Sequence, residues 1–332
     1  VRTMENLLPA LLVVSLALAF DFVIGDPPNR IHPLRWMGNL LDHLDSRIDR
    51  AGKASTRLKG FFSYILLLAI TVIICLGVLA AARNLIGDWA WILLTAVLFK
   101  LSFAVYSFRS HCQPIENDLR RGDLPSARDK VQMVVSRDTS TLGEEHIASC
   151  CVETVAENLV DSVYSPNFYF GLLGVFGAFM FRCANLMDAM WGYRNEKYGD
   201  LGFFPARWDD VLGFVTARLS VPFLALSIWI VGGDIRGLWE AVKADHAKTP
   251  SPNSGWPMAA VAGGLGLGME KRGVYRMGKG PLPRVDDIRR SYQLIEISSI
   301  LFVFLVTLPL YIFIGMDVQI FLEDALWGVL GG

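Results

Sequence analysis

Residues 61–82 read FFSYILLLAITVIICLGVLAAA, a run with no charged side chain. A bilayer core takes about 20 apolar residues in a helix, so this run is long enough to cross one. Working outward, 7–25 (LLPALLVVSLALAFDFVIG) and 297–315 (ISSILFVFLVTLPLYIFIG) are nearly as apolar. Residues 89–108 carry one charge, Lys100, and 211–232 carry one, Arg218. The run 167–183 is shorter and rich in Gly and Phe; it fits a span or a half-helix buried in protein. The end, 319–330, is too short to span. The expectation is an all-α polytopic integral membrane helical bundle, one domain over 1–332. It has long cytoplasmic helical loops and room for re-entrant segments. Residues 1–20 also look like a signal peptide, with Ala17-Leu18-Ala19 at the cleavage position. Against that, the apolar run continues through Phe22, Val23 and Ile24.

Composition agrees. Hydrophobic residues make up 53% and charged residues 19%, with mean hydropathy +0.39. Soluble domains carry about 25% charged residues. A net charge of -1 gives no bulk attraction for nucleic acid. The five cysteines form no C-x-x-C, which argues against a disulfide framework and a structural zinc site. Charge also orients the chain. Residues 26–60 hold Arg30, Arg35, Arg47, Arg50, Lys53, Arg57 and Lys59, and 109–137 hold a second basic set, while 83–88 hold only Arg83. Positive-inside places 26–60 and 109–166 in the cytoplasm and the N-terminus outside. The polar link 182–210 then falls outside unless it dips back into the membrane.

Five polar stretches are too specific for simple connectors. In GDPPNRIHPLRWMG (25–38), Asp26-Pro27-Pro28 ends the first span. Arg35 and Trp36 there fit either an interfacial anchor or a ligand site. In VVSRDTSTLGEEHIASCCVETVAENLVDS (134–162), a helix is expected from near Thr141, with Glu144 closing a capping box. Ala148, Cys151, Val152 and Val155 share its apolar face. Glu153, Glu157 and Asp161 share another, with Asn158 beside them. No Lys or Arg occurs from 141 to 181. Such a stripe is either a solvated face or a cation site, and carboxylate oxygens with an amide carbonyl suit Mg²⁺. In NLMDAMWGYRNEKYGDLGFFPARWDD (185–210), Asn185 and Asp188 lie one turn apart and Asp209-Asp210 close the stretch. Its aromatics fit a flat ligand or a membrane-interface belt. In KTPSPNSGWPMAAVAGGLGLGMEKRGVYRMG (248–278), the loop Asn253-Ser254-Gly255 opens a helix with Pro257 in its first turn, a geometry that binds anions. Ala259, Ala260, Ala262, Gly263 and Gly264 equally fit close helix packing. In GPLPRVDDIRRSYQLIE (280–296), Arg289 and Arg290 would snorkel at the edge of the last span. No H-E-x-x-H, G-x-S-x-G or Walker loop occurs.

In order, GDP (25–27), HPLRWMG (32–38), SRDTSTL (136–142), ETVAENLVDS (153–162), NLMDAMWGY (185–193), Asp209-Asp210 and SPNSGWPMAAVAGGLGLG (251–268) resemble the CobD/CbiB family of adenosylcobinamide-phosphate synthases. The resemblance covers roughly residues 20 to 290. It implies a ligase of cobalamin biosynthesis that joins adenosylcobyric acid to an aminopropanol phosphate through an amide, with ATP as co-substrate and Mg²⁺. It also implies a multi-pass cell-membrane location with a cytoplasmic polar site, and other cobalamin-biosynthesis enzymes as candidate partners. On that reading Glu153, Glu157, Asn158 and Asp161 hold the metal. Arg137 and Arg35 clamp phosphate with the Asn253, Ser254 and Gly255 loop. Asp138 or Asp188 takes the amine proton, and Asp209 and Asp210 form a second metal or amine site. Asn185 joins the substrate site, and His32 meets the corrinoid. Lys271, Arg272 and Arg276 also fit phosphate contacts, although GMEKRGVYRMG (268–278) reads loosely against the more glycine-rich turn expected before the tyrosine, which bears on Lys271 and Arg272. The rival expectations are a corrinoid transporter or binding protein, an AmpE-like membrane protein without this chemistry, and a lipid-phosphate transferase.

Overall fold

A computed structural model describes residues 2–28, 30, 32–329 and 331. Its helices begin with α1 (Arg2–Val23), α2 (Pro33–Arg47), α3 (Lys53–Leu85), α4 (Asp88–Lys100), α5 (Tyr106–Arg120), α6 (Leu124–Gln132) and α7 (Glu144–Leu159). They continue with α8 (Ser165–Trp191), α9 (Phe203–Ile230), α10 (Ile235–Asp245), α11 (Gly255–Leu265), α12 (Val285–Phe302), α13 (Leu308–Leu310) and α14 (Met316–Val329). Strands β1 (Met269–Lys271) and β2 (Tyr275–Met277) form one antiparallel hairpin. Five helical runs are long and apolar enough to cross a membrane: Glu5–Val23, Lys53–Leu85, Glu144–Trp191, Phe203–Ile230 and Val285–Val329. The all-α, multi-pass membrane class holds. Where one domain over 1–332 is expected, the chain forms two compact units.

The first unit comprises Val1–Ala104, Ser165–Leu212 and Val303–Gly332. Here α3 packs on α8 and α14, and α1 on α4. Tyr64, Leu67, Thr71, Cys75 and Leu79 bury one face of α3 at helical spacing. Phe62, Ile65, Ile70, Ile73 and Val78 leave its other faces apolar and exposed, as a lipid-facing surface is. Helix α1 stops as expected, though at Gly25 rather than at the prolines. Gly25 adopts φ 72°, and its amide bonds back to the carbonyls of Phe20 and Asp21.

The run 89–108 departs from expectation, and 167–183 carries the interruption that its half-helix alternative left open. The run 89–108 is not one helix: α4 ends at Lys100 after 13 residues. At 1.5 Å per residue that is about 20 Å, short of a bilayer core. The buried Lys100 pairs with Asp21 at 2.9 Å and Asp26 at 2.5 Å, and the chain turns there. The run 167–183 lies in α8 but is broken at Gly174 (φ 62°, ψ −149°). The side chain of Gln319 fills the break, accepting from the Val175 amide at 3.1 Å. Its amide nitrogen donates to Glu323 at 2.9 Å, and Glu323 also accepts from the Trp91 indole at 2.9 Å. A broken helix survives at membrane depth only where protein groups take up its freed backbone, and Gln319 does so.

The second unit comprises Val105–Tyr164 and Gly213–Phe302. Helix α7 packs against α12, α11 and α5, and the hairpin lies on α7. It starts at Glu144 behind an extended Gly143, without a side-chain cap. The expected Thr141–Glu144 box does not form, because Thr141 belongs to the preceding turn and Glu144 is already helical. Small-residue packing is present as read: a Cβ on Gly263 would come within 2.2 Å of the Gly237 carbonyl where α10 meets α11. Pro257 occupies the first turn of α11. Arg289 and Arg290 do not snorkel alone; they pair with Glu116 at 3.0 Å and Asp287 at 2.7 Å.

Candidate functional site

In the second unit, the first half of the acidic stripe opens on a cavity of about 140 Å³. Val134–Arg137, Glu153, Thr154, Glu157, Asn158, Lys271 and Tyr275 line it. Glu153 is 3% exposed, and both its oxygens are engaged. Oε1 accepts from Arg137 at 3.0 Å and from the Ser149 hydroxyl at 2.8 Å. Oε2 accepts from the Tyr275 phenol at 3.1 Å. Ser149 in turn accepts from the Glu270 amide at 3.0 Å, so the hairpin is tied to α7 through Glu153 at two points. Burial, with Glu153 and Glu157 nearby, pushes the Tyr275 phenol well above its usual range. It therefore stays protonated and donates.

One helix face thus holds two carboxylates with different roles. Glu153 is an anchor for Arg137, and Glu157 is exposed on the cavity wall. The Asn158 amide nitrogen donates to the Thr154 carbonyl at 2.9 Å, which leaves its oxygen as the side chain's acceptor. Asp161 does not line this cavity. The chain widens into a π-helix over Val160–Tyr164, so the strict four-residue face is not continued there. Among the described residues no group of three or more His, Cys, Asp or Glu side chains is arranged to hold a metal ion. Glu157 and Asn158 both line the cavity, and side-chain oxygens of their kind are what Mg²⁺ takes.

Other expected residues serve different ends. Asp138 is exposed beside the cavity, accepting from the Ser140 amide at 2.9 Å. That bond holds its carboxyl below the usual range, which makes it a weaker base. Asn253 is buried and accepts from Arg218 at 3.1 Å, and Arg218 lies over the rings of Phe214 and Trp256. A Cβ on Gly255 would meet the His246 carbonyl at 2.0 Å, and the Ser254 carbonyl accepts from Met258 in the first turn of α11. This loop packs a helix end, and its side chains do not line the cavity. Arg276 points back to the Gly280 carbonyl at 3.1 Å.

The remaining candidates lie in the first unit. His32 caps α2, its Nδ1 accepting from the Leu34 amide at 3.2 Å. Burial pushes this imidazole down, so it is neutral at pH 7. Arg35 is exposed on α2. The Asn185 oxygen accepts from Arg182 at 3.1 Å. Asp188 and Asp210 are electrostatic neighbours, and Asp210 pairs with Arg207 at 3.8 Å. Asp210 lines a second cavity of about 80 Å³ with Arg194, Tyr198 and Arg207. Asp209 is half-buried next to it in sequence.

The sequence offers Lys271 as a phosphate contact and gives no role to Tyr275; both line the first cavity. Their signal was the glycine between two short apolar-polar pairs. Gly273 (φ 73°) makes the hairpin turn.

The profile of one protein family, described as "CobD/Cbib protein", matches residues 14–303. A probable cobalamin biosynthesis protein CobD of Methanococcus maripaludis is 33% identical, over 89% of this chain and 97% of that protein. The probable cobalamin biosynthesis protein CobD of Methanothermobacter thermautotrophicus is 34% identical, over 87% and 93%. The cobalamin biosynthesis protein CobD of Dehalococcoides mccartyi is 37% identical, over 84% and 88%. No solved structure matches. With the motifs in order and matches this long, the chain belongs to the CobD/CbiB family.

Proposed function

We propose that this chain acts in cobalamin biosynthesis as a membrane ligase. It joins the carboxylate of adenosylcobyric acid to the amine of an aminopropanol phosphate, using ATP and Mg²⁺ on the cytoplasmic side of the cell membrane. The names of its relatives support the cobalamin part. One observation carries the chemistry: a buried carboxylate fixes Arg137 at a cavity whose wall also holds Glu157 and Asn158.

A carboxylate and an amine do not condense at neutral pH without activation. In the proposed reaction a carboxylate oxygen attacks the terminal phosphorus of ATP, the bond to ADP breaks, and an acyl phosphate forms. The amine then attacks the acyl carbon. The carbon–oxygen bond breaks, phosphate leaves, and the nitrogen gives up a proton as the amide forms. Phosphoryl transfer needs positioning and charge neutralisation more than covalent help. Arg137, held by Glu153 and Cys150, supplies a fixed guanidinium for phosphoryl oxygens. Glu157 and Asn158 are the residues that would hold Mg²⁺, which when bound neutralises charge on those oxygens. Asp138 is set aside as the proton acceptor because it is turned onto the Ser140 amide.

Purified detergent-solubilised protein, given adenosylcobyric acid, aminopropanol phosphate and MgATP, should yield the amide by mass analysis, with one ADP per amide. The break at Gly174 within a candidate span favours a second reading, a corrinoid transporter, since transporters use broken helices. Corrinoid binding or flux without amide would replace the first reading by the second.

A further inference from the structure

We infer that Lys271 is a second ligand-contacting cation of the cavity beside Arg137, and that the cavity admits one phosphate group rather than a whole nucleotide. The inference rests on the reading of this cavity given above. Three observations carry it.

First, the polar groups divide into engaged and open sets. Arg137, Glu153, Ser149 and Tyr275 bond to one another. Lys271 is half-buried on β1 and lines the cavity, yet among the described residues it forms no ion pair within 4.0 Å. It is near enough to Glu157 for the two charges to act on each other. An ammonium partly withdrawn from water, without a bonded carboxylate, is poised for an incoming anion.

Second, the hairpin fixes where Lys271 stands. Glu270 is tied to Ser149 through its amide, and Tyr275, the register partner of Lys271, is tied to Glu153. Lys271 therefore projects from a hairpin pinned on both strands beside a guanidinium that is itself fixed. Two cations lining one cavity match a tetrahedral oxyanion.

Third, size decides the ligand class. Sites for drug-sized molecules run to about 300–1,000 Å³. A cavity of about 140 Å³ holds a phosphate group with its solvent and leaves a nucleoside outside. The shared chemistry is a terminal phosphate, from a nucleotide or from a phosphorylated amino alcohol.

The test is calorimetric titration of the full chain in detergent with three probes: the magnesium complex of a non-hydrolysable ATP analogue, aminopropanol phosphate, and inorganic phosphate. Wild-type protein should bind at least one. Lys271→Met should weaken that probe by about tenfold or more, the scale of one charge-assisted hydrogen bond. Lys271→Arg should retain most of the affinity, and Lys279→Met, outside this cavity, should match wild type. Tyr275→Phe should weaken binding less than Lys271→Met, since it loosens the hairpin without removing the charge. The probe most affected by Lys271→Met identifies the source of the phosphate. Binding by wild type that Lys271→Met leaves within twofold overturns the inference alone. Failure of a folded wild type to bind any probe overturns both the inference and the reading it rests on.

Discussion

Removing the Glu153 charge should unbalance the second unit, and removing its partner as well should partly restore it. Glu153 is 3% exposed and is the acceptor for Arg137, Ser149 and Tyr275. Breaking a buried ion pair from one side costs about 3–5 kcal/mol, because the other charge stays behind uncompensated. Arg137 keeps some contact with solvent, its side chain being 20% exposed, so the lower end applies, about 3 kcal/mol. For a unit of roughly 150 residues that is a melting shift of about 6–12 °C. Glu153→Gln should show it in detergent at a fixed scan rate. Arg137→Met leaves a buried carboxylate with two neutral donors, Ser149 and Tyr275, and should cost a similar amount. The double variant should lose less than the sum by about 2 kcal/mol, the coupling expected of a bonded charge pair. Additivity within about 0.5 kcal/mol would mean that the pair does not hold the cavity together, and the anchoring role of Glu153 would fall with it.

Glu157→Gln should behave oppositely. The side chain is on the cavity wall without a hydrogen bond among the described residues, so stability should change by less than about 0.5 kcal/mol. Amide formation should fall by about tenfold or more, with a higher Mg²⁺ requirement; near-wild-type synthesis and metal dependence would remove the metal assignment. Gly174→Ala should destabilise the first unit by about 3 kcal/mol or more, since the left-handed backbone disfavours a side chain and a Cβ would meet Gln319 Oε1 at 2.3 Å. A variant melting like wild type would deny the break a structural role. Asp118 in α5 pairs with Lys130 and Arg121 and accepts from Ser126, which holds its carboxyl down at about 2. An unfolded Asp titrates near 3.9, so its contribution is present above about pH 4 and is lost as pH falls toward 2. Melting curves from pH 5 to 2 should fall less steeply for Asp118→Asn than for wild type; parallel curves would rule out this linkage.

The parts of the fold legible in the sequence are those encoded within about 20 consecutive residues. The run 61–82 becomes part of α3 because lipid on one side and protein on the other both accept apolar side chains. The same signal misleads at 89–108, because Leu101, Phe103 and Ala104 are apolar residues of a turn. Hydropathy cannot see that the Ser102 hydroxyl closes it onto the Phe99 carbonyl. The glycine-rich run 167–183 leaves a half-helix open, but nothing local singles out Gly174 as the break. Its partner Gln319 is 144 positions from Val175, whose amide it takes. What pattern reading misses at Gly174 is a bond between distant segments.

The acidic stripe shows how this limit shapes a functional reading. Spacing alone put Glu153, Glu157 and Asp161 on one face, and the lack of any Lys or Arg from 141 to 181 made them look like three equal candidates for a cation. The neutralising charge comes instead from Arg137, ahead of the helix, and a donor comes from Tyr275, on a hairpin 122 residues away. Those contacts make Glu153 unequal to its neighbour one turn on. With both oxygens engaged, it sets the position of Arg137, and binding a cation would require it to give up donors. Among the described residues Glu157 has no such donors, faces the same cavity and is exposed, so taking up a cation costs least there. The carboxylate that the fold leaves open is thus the one proposed for the chemistry, and the buried one is explained by the arginine it holds in place.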